Sequence, residues 1–183
     1  MELSMSNHPV GAWLFGKAPA HGDFIARGLD GSLRDALDAW LSREMDDART
    51  VHDDDFDARF DQAPLVKFID RDAEGRLAGG SLCASVDAVG RRFPLMAAIP
   101  ADDLAGALAA SDSCEAAIHA AFAERLDADA IHRRLSSSAG GVSTDGAGAS
   151  RWWIDAIEPG EEIWERPGRF PTGIVTQMLS IAQ

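Results

Sequence analysis

Apolar positions along the chain fall into blocks whose spacing switches between strand-like runs and helical repeats. Val10 to Phe15 is a short apolar run rich in strand formers that stops at Gly16, which predicts a first strand. Gly16 to Gly31 is glycine-rich and polar without a period, and predicts a shaped loop. Behind it Leu33, Leu37, Trp40, Leu41 and Met45 recur at helical spacing, so a helix is expected from Ser32 to about Arg49, with Ser32 and Asp35 placed as a capping box. Val51 to Gln62 interleaves Asp53, Asp54, Asp55 and Asp57 with Phe56 and Phe60, which predicts a loop or short helix with both rings tucked under. Leu65 to Ile69, a turn at Asp72 to Gly75 and Leu77 to Val86 predict a hairpin, and Phe93 to Ile99 a further strand ended by Pro100.

Asp102 to Ala110 then predicts a short helix and Glu115 to Leu135 a longer one, with Ile118, Phe122, Leu126, Ile131 and Leu135 on its inner face. Ser136 to Ser150 is almost wholly Ser, Gly, Ala and Thr, so a flexible surface loop is expected over 136–150, and a disordered tail over 1–8. Arg151 to Ile157 predicts an aromatic strand, Ile163 to Glu165 a few more paired residues, and Ile174 to Ile181 a closing helix. This order predicts one α/β domain over 9–183, a central mixed or largely antiparallel sheet flanked by helices on both faces in a three-layer α/β/α sandwich. Strand order does not follow from it.

The 183 residues carry 46% hydrophobic and 26% charged side chains, a globular composition for a single domain. Seventeen Lys and Arg against thirty Asp and Glu leave a net charge of −13. That field repels phosphate backbones and anionic lipid heads, so nucleic-acid and membrane-surface partners are not expected, and a protein partner with a basic patch is. Cys83 and Cys114 lie on separate elements without metal or redox spacing, which predicts buried, reduced thiols. The N-terminus lacks a signal-peptide pattern, and no apolar run reaches the roughly eighteen residues of a membrane span; a cytoplasmic protein without membrane insertion is expected.

Candidate chemistry is sparse. Gly16-Lys17 is followed by Ala18 and Pro19 instead of the Ser or Thr and helix that a phosphate loop needs. His21 and Asp23 could act as a base with its orienting carboxylate, but no Ser or Cys stands in a nucleophile-elbow pattern. His21, Asp23 and Asp87 could hold a divalent ion if the fold gathers them, although nothing in the pattern requires a metal or a cofactor. Asp53 to Asp55 lacks the glycine and terminal Glu of a calcium loop and suits a solvated acidic face. Arg91 and Arg92 follow Gly90 and could clamp an anion, or form ion pairs, Asp87 and Asp23 being the simplest partners. The adjacent Trp152 and Trp153 must face opposite sides of a sheet, one in the core and the other under a helix or exposed as an anchor.

Taken together, these segments resemble the TagF (ImpM) family of type VI secretion-associated proteins. Gly16-Lys17-Ala18-Pro19-Ala20-His21-Gly22-Asp23-Phe24 is similar to the family's G-K-x-P-x-x-G-D-F run, and Ser85 to Leu95 to its S-x-D-x-x-G-R-R-F-P-L segment. Trp40-Leu41, Ala63-Pro64 before Phe68, and Trp152-Trp153 fit further positions. His21 stands where an arginine is common, which would make an anion contact there pH-dependent. The resemblance implies a non-enzymatic post-translational repressor that binds a scaffold such as the forkhead-associated component, with Lys17, Pro19, His21, Asp23, Asp87, Arg91, Arg92, Trp152 and Trp153 as motif or interaction residues. The alternative from the residues themselves is a small hydrolase or metal-dependent enzyme using His21, Asp23, Asp87 and Arg91.

Overall fold

A computed structural model describes residues 11–72, 75–138, 150–155, 163–166 and 168–182. Strand β1 (Trp13–Gly16) opens the chain and β2 (Ile25–Arg27) follows. Helix α1 (Gly31–His52) leads through a single 3-10 turn at Asp53–Asp55 into α2 (Phe56–Gln62). Strands β3 (Val66–Arg71), β4 (Leu77–Cys83) and β5 (Leu95–Ala101) come next, then α3 (Leu104–Ala123) and α4 (Ala128–Ser136). Strands β6 (Ser150–Trp153) and β7 (Ile163–Arg166) and helix α5 (Ile174–Ile181) close the chain. The sheet order is β2-β1-β5-β4-β3-β6-β7, and every pairing is antiparallel.

Alternation along the strands makes two cores. Trp13, Phe15, Phe68, Leu82, Met96 and Trp152 face α1, α2 and α5, whereas Leu14, Cys83, Leu95, Ala97 and Ile99 face α3 and α4. The expected three-layer sandwich is therefore present, with a wholly antiparallel centre among the described strands. Burial on both faces explains why β4 and β5 carry no charged side chain. No described helix is long and apolar enough to cross a membrane.

Several details depart from the sequence expectation, each for a local reason. The loop Gly16 to Gly31 contains β2, paired to β1 through Ile25↔Gly16 and Arg27↔Leu14. Asp30 caps α1 by accepting from Leu33 N at 2.8 Å, not the Ser32–Asp35 pair. Pro100 lies inside β5 opposite Ala78; among the described residues β1 pairs with β5 no further than Ala98, so the proline interrupts no described β1–β5 pairing. The division between the two C-terminal helices sits at Glu124–Asp127, not Ala110–Glu115. Arg125 there takes φ 48° and Asp127 caps α4 through Ala130 N at 2.7 Å. Of the loop expected over 136–150, Ser136 belongs to α4 and Ser150 to β6, while 139–149 and the 1–8 tail lie outside the described residues.

Close approach also dictates β4. A Cβ at Gly79 would stand 1.8 Å from the Ala107 carbonyl oxygen of α3, and one at Gly80 would stand 2.2 Å from the Phe68 ring. The small face of α3, with Ala107, Ala110, Ser111 and Cys114, is pressed directly onto that strand. Helix α5 is held from a distance: its first residues lack a side-chain cap of their own, and Gly173 N and Val175 N donate to Glu44 Oε1 and Oε2 at 2.8 and 3.0 Å. Burial pushes the Glu44 carboxyl up, against the amide bonds from Val175, Gly173 and Ile174. Both cysteines are free and buried, and burial pushes the Cys83 thiol up to about 12.

Candidate functional site

The two motif segments meet at one end of the sheet. Gly16, the last residue of β1, has φ 133° and lies so close to β5 that a Cβ there would fall 2.0 Å from Pro94 O, so only glycine fits. Its neighbour Lys17 donates from its backbone to Pro94 O at 3.2 Å and turns its side chain inward. Lys17 Nζ then reaches Asp87 Oδ2 at 3.0 Å and stands 5.1 Å from the centroid of the Phe24 ring.

Asp87 organises the second segment around itself. Its Oδ1 accepts from Val89 N at 3.0 Å and Arg91 N at 2.9 Å, and its Oδ2 accepts from Arg91 Nε at 2.7 Å as well as from Lys17. The turn is closed by Gly90 N donating to Asp87 O at 3.0 Å, with Gly90 at φ 86°. Burial alone would push this carboxyl up, but the bonds from Arg91, Lys17 and Val89 outweigh it and hold it well below the usual carboxylate range. The result is a carboxylate hub with its lone pairs occupied.

Further bonds weld the loop to the turn. Ala88 N donates to His21 O at 2.7 Å, Ser85 Oγ donates to Lys17 O at 2.7 Å, and Arg91 Nη2 donates to Gly22 O. Phe24 packs edge-on to Phe93 at 4.8 Å and stacks on Phe15 at 6.0 Å. From the other side, Ala128 N at the start of α4 donates to His21 Nε2 at 2.9 Å, and Arg125 Nη2 donates to Pro19 O at 2.9 Å. His21 therefore serves as an acceptor for Ala128 N rather than as an anion contact. Asp23 is exposed and accepts from Phe24 N. Two apolar side chains stay uncovered on this welded surface, Phe24 at 45% and Val89 at 70% exposure.

Arg92 points elsewhere. Its Nε and Nη2 form a fork with Asp61 at 2.8 and 2.7 Å, and Nη1 reaches Asp57 at 3.0 Å, so the turn is tied to α2. Beside it opens a cleft of about 480 Å³ lined by Phe60, Ala63, Ala84, Val86 and Phe122 together with Asp61, Ser85, Gly90 and Arg92.

The profile of the TagF N-terminal domain, type VI secretion system-associated, matches residues 13–139, a span that holds both welded segments and the cleft. The chain belongs to that family. Its fold is shared by the crystal structure of PA0076 from Pseudomonas aeruginosa PAO1, with a TM-score of 0.72 over 92% of this chain and 93% of that one at 20% identity. No curated protein matches the chain.

Within this TagF-family chain the sequence-predicted residues divide into two groups. Lys17, Pro19, His21, Asp23, Asp87, Arg91 and Arg92 converge on the loop and turn. Trp152 and Trp153 lie on β6, separated from β1 by three intervening strands. Trp152 is in the core against Phe68 at 4.6 Å, with Nε1 donating to Ser150 Oγ at 2.9 Å. Trp153 faces the α3 side, half-buried against Ile69, Leu77, Ala101 and Ala107, with Nε1 donating to Asp155.

His21, Asp23 and Asp87 do not form a ligand set. Among the described residues, the carboxylates that gather closely enough to hold an ion are Asp112, Glu115 and Asp155. The buried Lys67 ammonium already occupies their centre, 2.8 Å from Asp112 and 2.9 Å from Glu115 and bonded to Asp155. Lys67 and the cleft were not singled out from the sequence. A lysine in the apolar run Leu65 to Ile69 was the available signal, because a cation in a doubly covered strand requires paired carboxylates.

Proposed function

We propose that the chain is a non-enzymatic, cytoplasmic regulatory module of a type VI secretion system that restrains the machine by binding one of its protein components. The forkhead-associated scaffold is the component the family resemblance implies. The observation that carries this reading is the welded surface of loop and turn. Its Lys17, Asp87 and Arg91 are engaged with one another, and it leaves Phe24 and Val89 uncovered on a rigid frame. Exposed apolar side chains on a preorganised frame suit recognition, since little ordering entropy is lost on binding. A hydrolytic or metal-dependent reading is less favoured because Asp87 has its lone pairs filled by four donors and His21 Nε2 is engaged by Ala128 N.

The test is calorimetric titration of the protein with the forkhead-associated scaffold of the same secretion system, alongside Val89→Asp, whose exposed side chain leaves folding intact. Binding that is abolished by Val89→Asp supports the reading. A wild-type protein that does not bind removes the scaffold as direct partner.

A further inference from the structure

Apart from the welded surface, the molecule has a second feature without an internal use: the open cleft between the end of α2, the segment after β4 and the last turn of α3. Its apolar lining, Phe60, Ala63, Ala84, Val86 and Phe122, belongs to three separate segments, and all but Phe60 are only partly buried. At about 480 Å³ it exceeds the void expected between well-packed elements and falls in the size range of recognition pockets, roughly 300–1,000 Å³.

Charge decides what fits it. Arg92 at the rim has Nε, Nη1 and Nη2 each bonded to carboxylate, so an anionic ligand would have to displace Asp57 and Asp61. Those two aspartates share one guanidinium and therefore leave an excess of negative charge at the mouth. Both are substantially exposed, at 68% and 49% of the side chain. The Arg92 hydrogen bond also lowers the Asp61 pKa, so the carboxylate persists into acid. Asp53, Asp54 and Asp55 directly precede α2 and are exposed. A second copy of the chain, itself at −13, would meet this rim with like charge.

We propose that this cleft is a docking groove for a segment of a partner protein that inserts an apolar side chain between Phe60 and Phe122 and sets flanking Lys or Arg residues against Asp57 and Asp61. The inference rests on the reading of the chain as a binding module and specifies the chemistry of one contact. The groove stands beside the welded surface, sharing the Gly90 turn with it, so one partner can touch both.

The probe is a blocked peptide of sequence Lys-Lys-Leu-Phe-Lys-Lys, with Glu-Glu-Leu-Phe-Glu-Glu as its charge-reversed counterpart, titrated into the full chain and followed by amide NMR shifts. Saturable shifts confined to Phe60, Ala63, Ala84, Val86 and Phe122, weakening with added salt, are expected for the basic peptide alone. Asp57→Asn leaves the Arg92–Asp61 fork in place and is expected to weaken binding about two- to fivefold. Ala63→Phe, which fills the groove, is expected to abolish it. Equal or tighter binding of the acidic peptide, shifts elsewhere, or no saturable shift overturns the proposal. A dimer in sedimentation that Ala63→Phe dissolves also overturns it, since a second copy would then be the occupant. Scaffold binding that Val89→Asp abolishes but Ala63→Phe and Asp57→Asn leave unchanged sinks the groove while leaving the regulatory reading intact.

Discussion

Substituting Gly79 by alanine tests how tightly α3 is seated on the sheet. The added methyl would lie 1.8 Å from Ala107 O, 2.7 Å from the Ala107 carbonyl carbon and 2.9 Å from Ser111 N. All three are backbone atoms of one helix, so no side-chain rotation can relieve the contact and α3 must move by more than 1 Å to reach an ordinary van der Waals distance. That shift disturbs two neighbouring bonds, Ser81 Oγ to Ser111 O at 3.0 Å and Lys67 Nζ to Asp112 Oδ1 at 2.8 Å. Overpacking commonly costs about 1–3 kcal/mol, and a helix-backbone clash belongs at the upper end, about 3 kcal/mol. For a chain of this size that lowers Tm by about 6–12 °C. Calorimetric melting should be run beside Gly22→Ala, where a Cβ meets nothing within 4 Å and a change within about 0.5 kcal/mol is expected. A Gly79→Ala protein that melts with the wild type would refute the close seating of α3.

Three other perturbations address other elements. Asp70 is buried on β3 beside Arg169, whose Nε donates to it at 2.6 Å; burial, opposed by Arg169, pushes its carboxyl up to about 6 from 3.8. The native state then binds more protons than the unfolded chain between those values, so stability falls as pH rises through that window. The Tm of the wild type should accordingly lose ground to Asp70→Asn between pH 4 and 6, and parallel pH profiles would refute this. Glu44→Ala leaves Gly173 N and Val175 N without their acceptor and is expected to cost about 2 kcal/mol and to speed amide exchange in α5; unchanged exchange there rules out the remote cap. His21→Phe removes the acceptor of Ala128 N and should cost about 1 kcal/mol in urea unfolding, with His21→Gln recovering part of it, whereas equal midpoints would mean the bond contributes nothing.

What was legible in the sequence was what repeats at short range. The heptad-like spacing of Leu33, Leu37, Trp40 and Leu41 placed α1, and the alternation rule put Trp152 and Trp153 on opposite faces. The turn at Gly90 and its Asp87–Arg91 pairing were also within reach, because both partners lie in five consecutive residues. What escaped depends on residues far apart. The three carboxylates around Lys67 come from between 45 and 88 residues away, and the contacts that cap α5 from 129 and 131. The β2 strand was hidden because three residues, Ile25 to Arg27, cannot display a period. The α3–α4 division was misplaced because the alanine-rich stretch of α3 is apolar on nearly every side, so its pattern carries no phase by which to locate an end.

The Asp87 hub also bears on the order in which the chain assembles. The turn from Asp87 to Arg91 is local and can close by itself within the hairpin-rich middle of the sequence. The Gly16 loop reaches it only by spanning the 68 residues that separate Lys17 from Ser85, an entropic debt that local structure does not share. The β1–β2 arm is joined to the rest of the chain through such long-range contacts, among them the β1–β5 ladder and the bonds of its loop to the Asp87 turn. Its release would uncover Asp87 together with Trp13, Leu14 and Phe15 of β1, so loop, turn and strand are bound to open as one cooperative unit with the two cores.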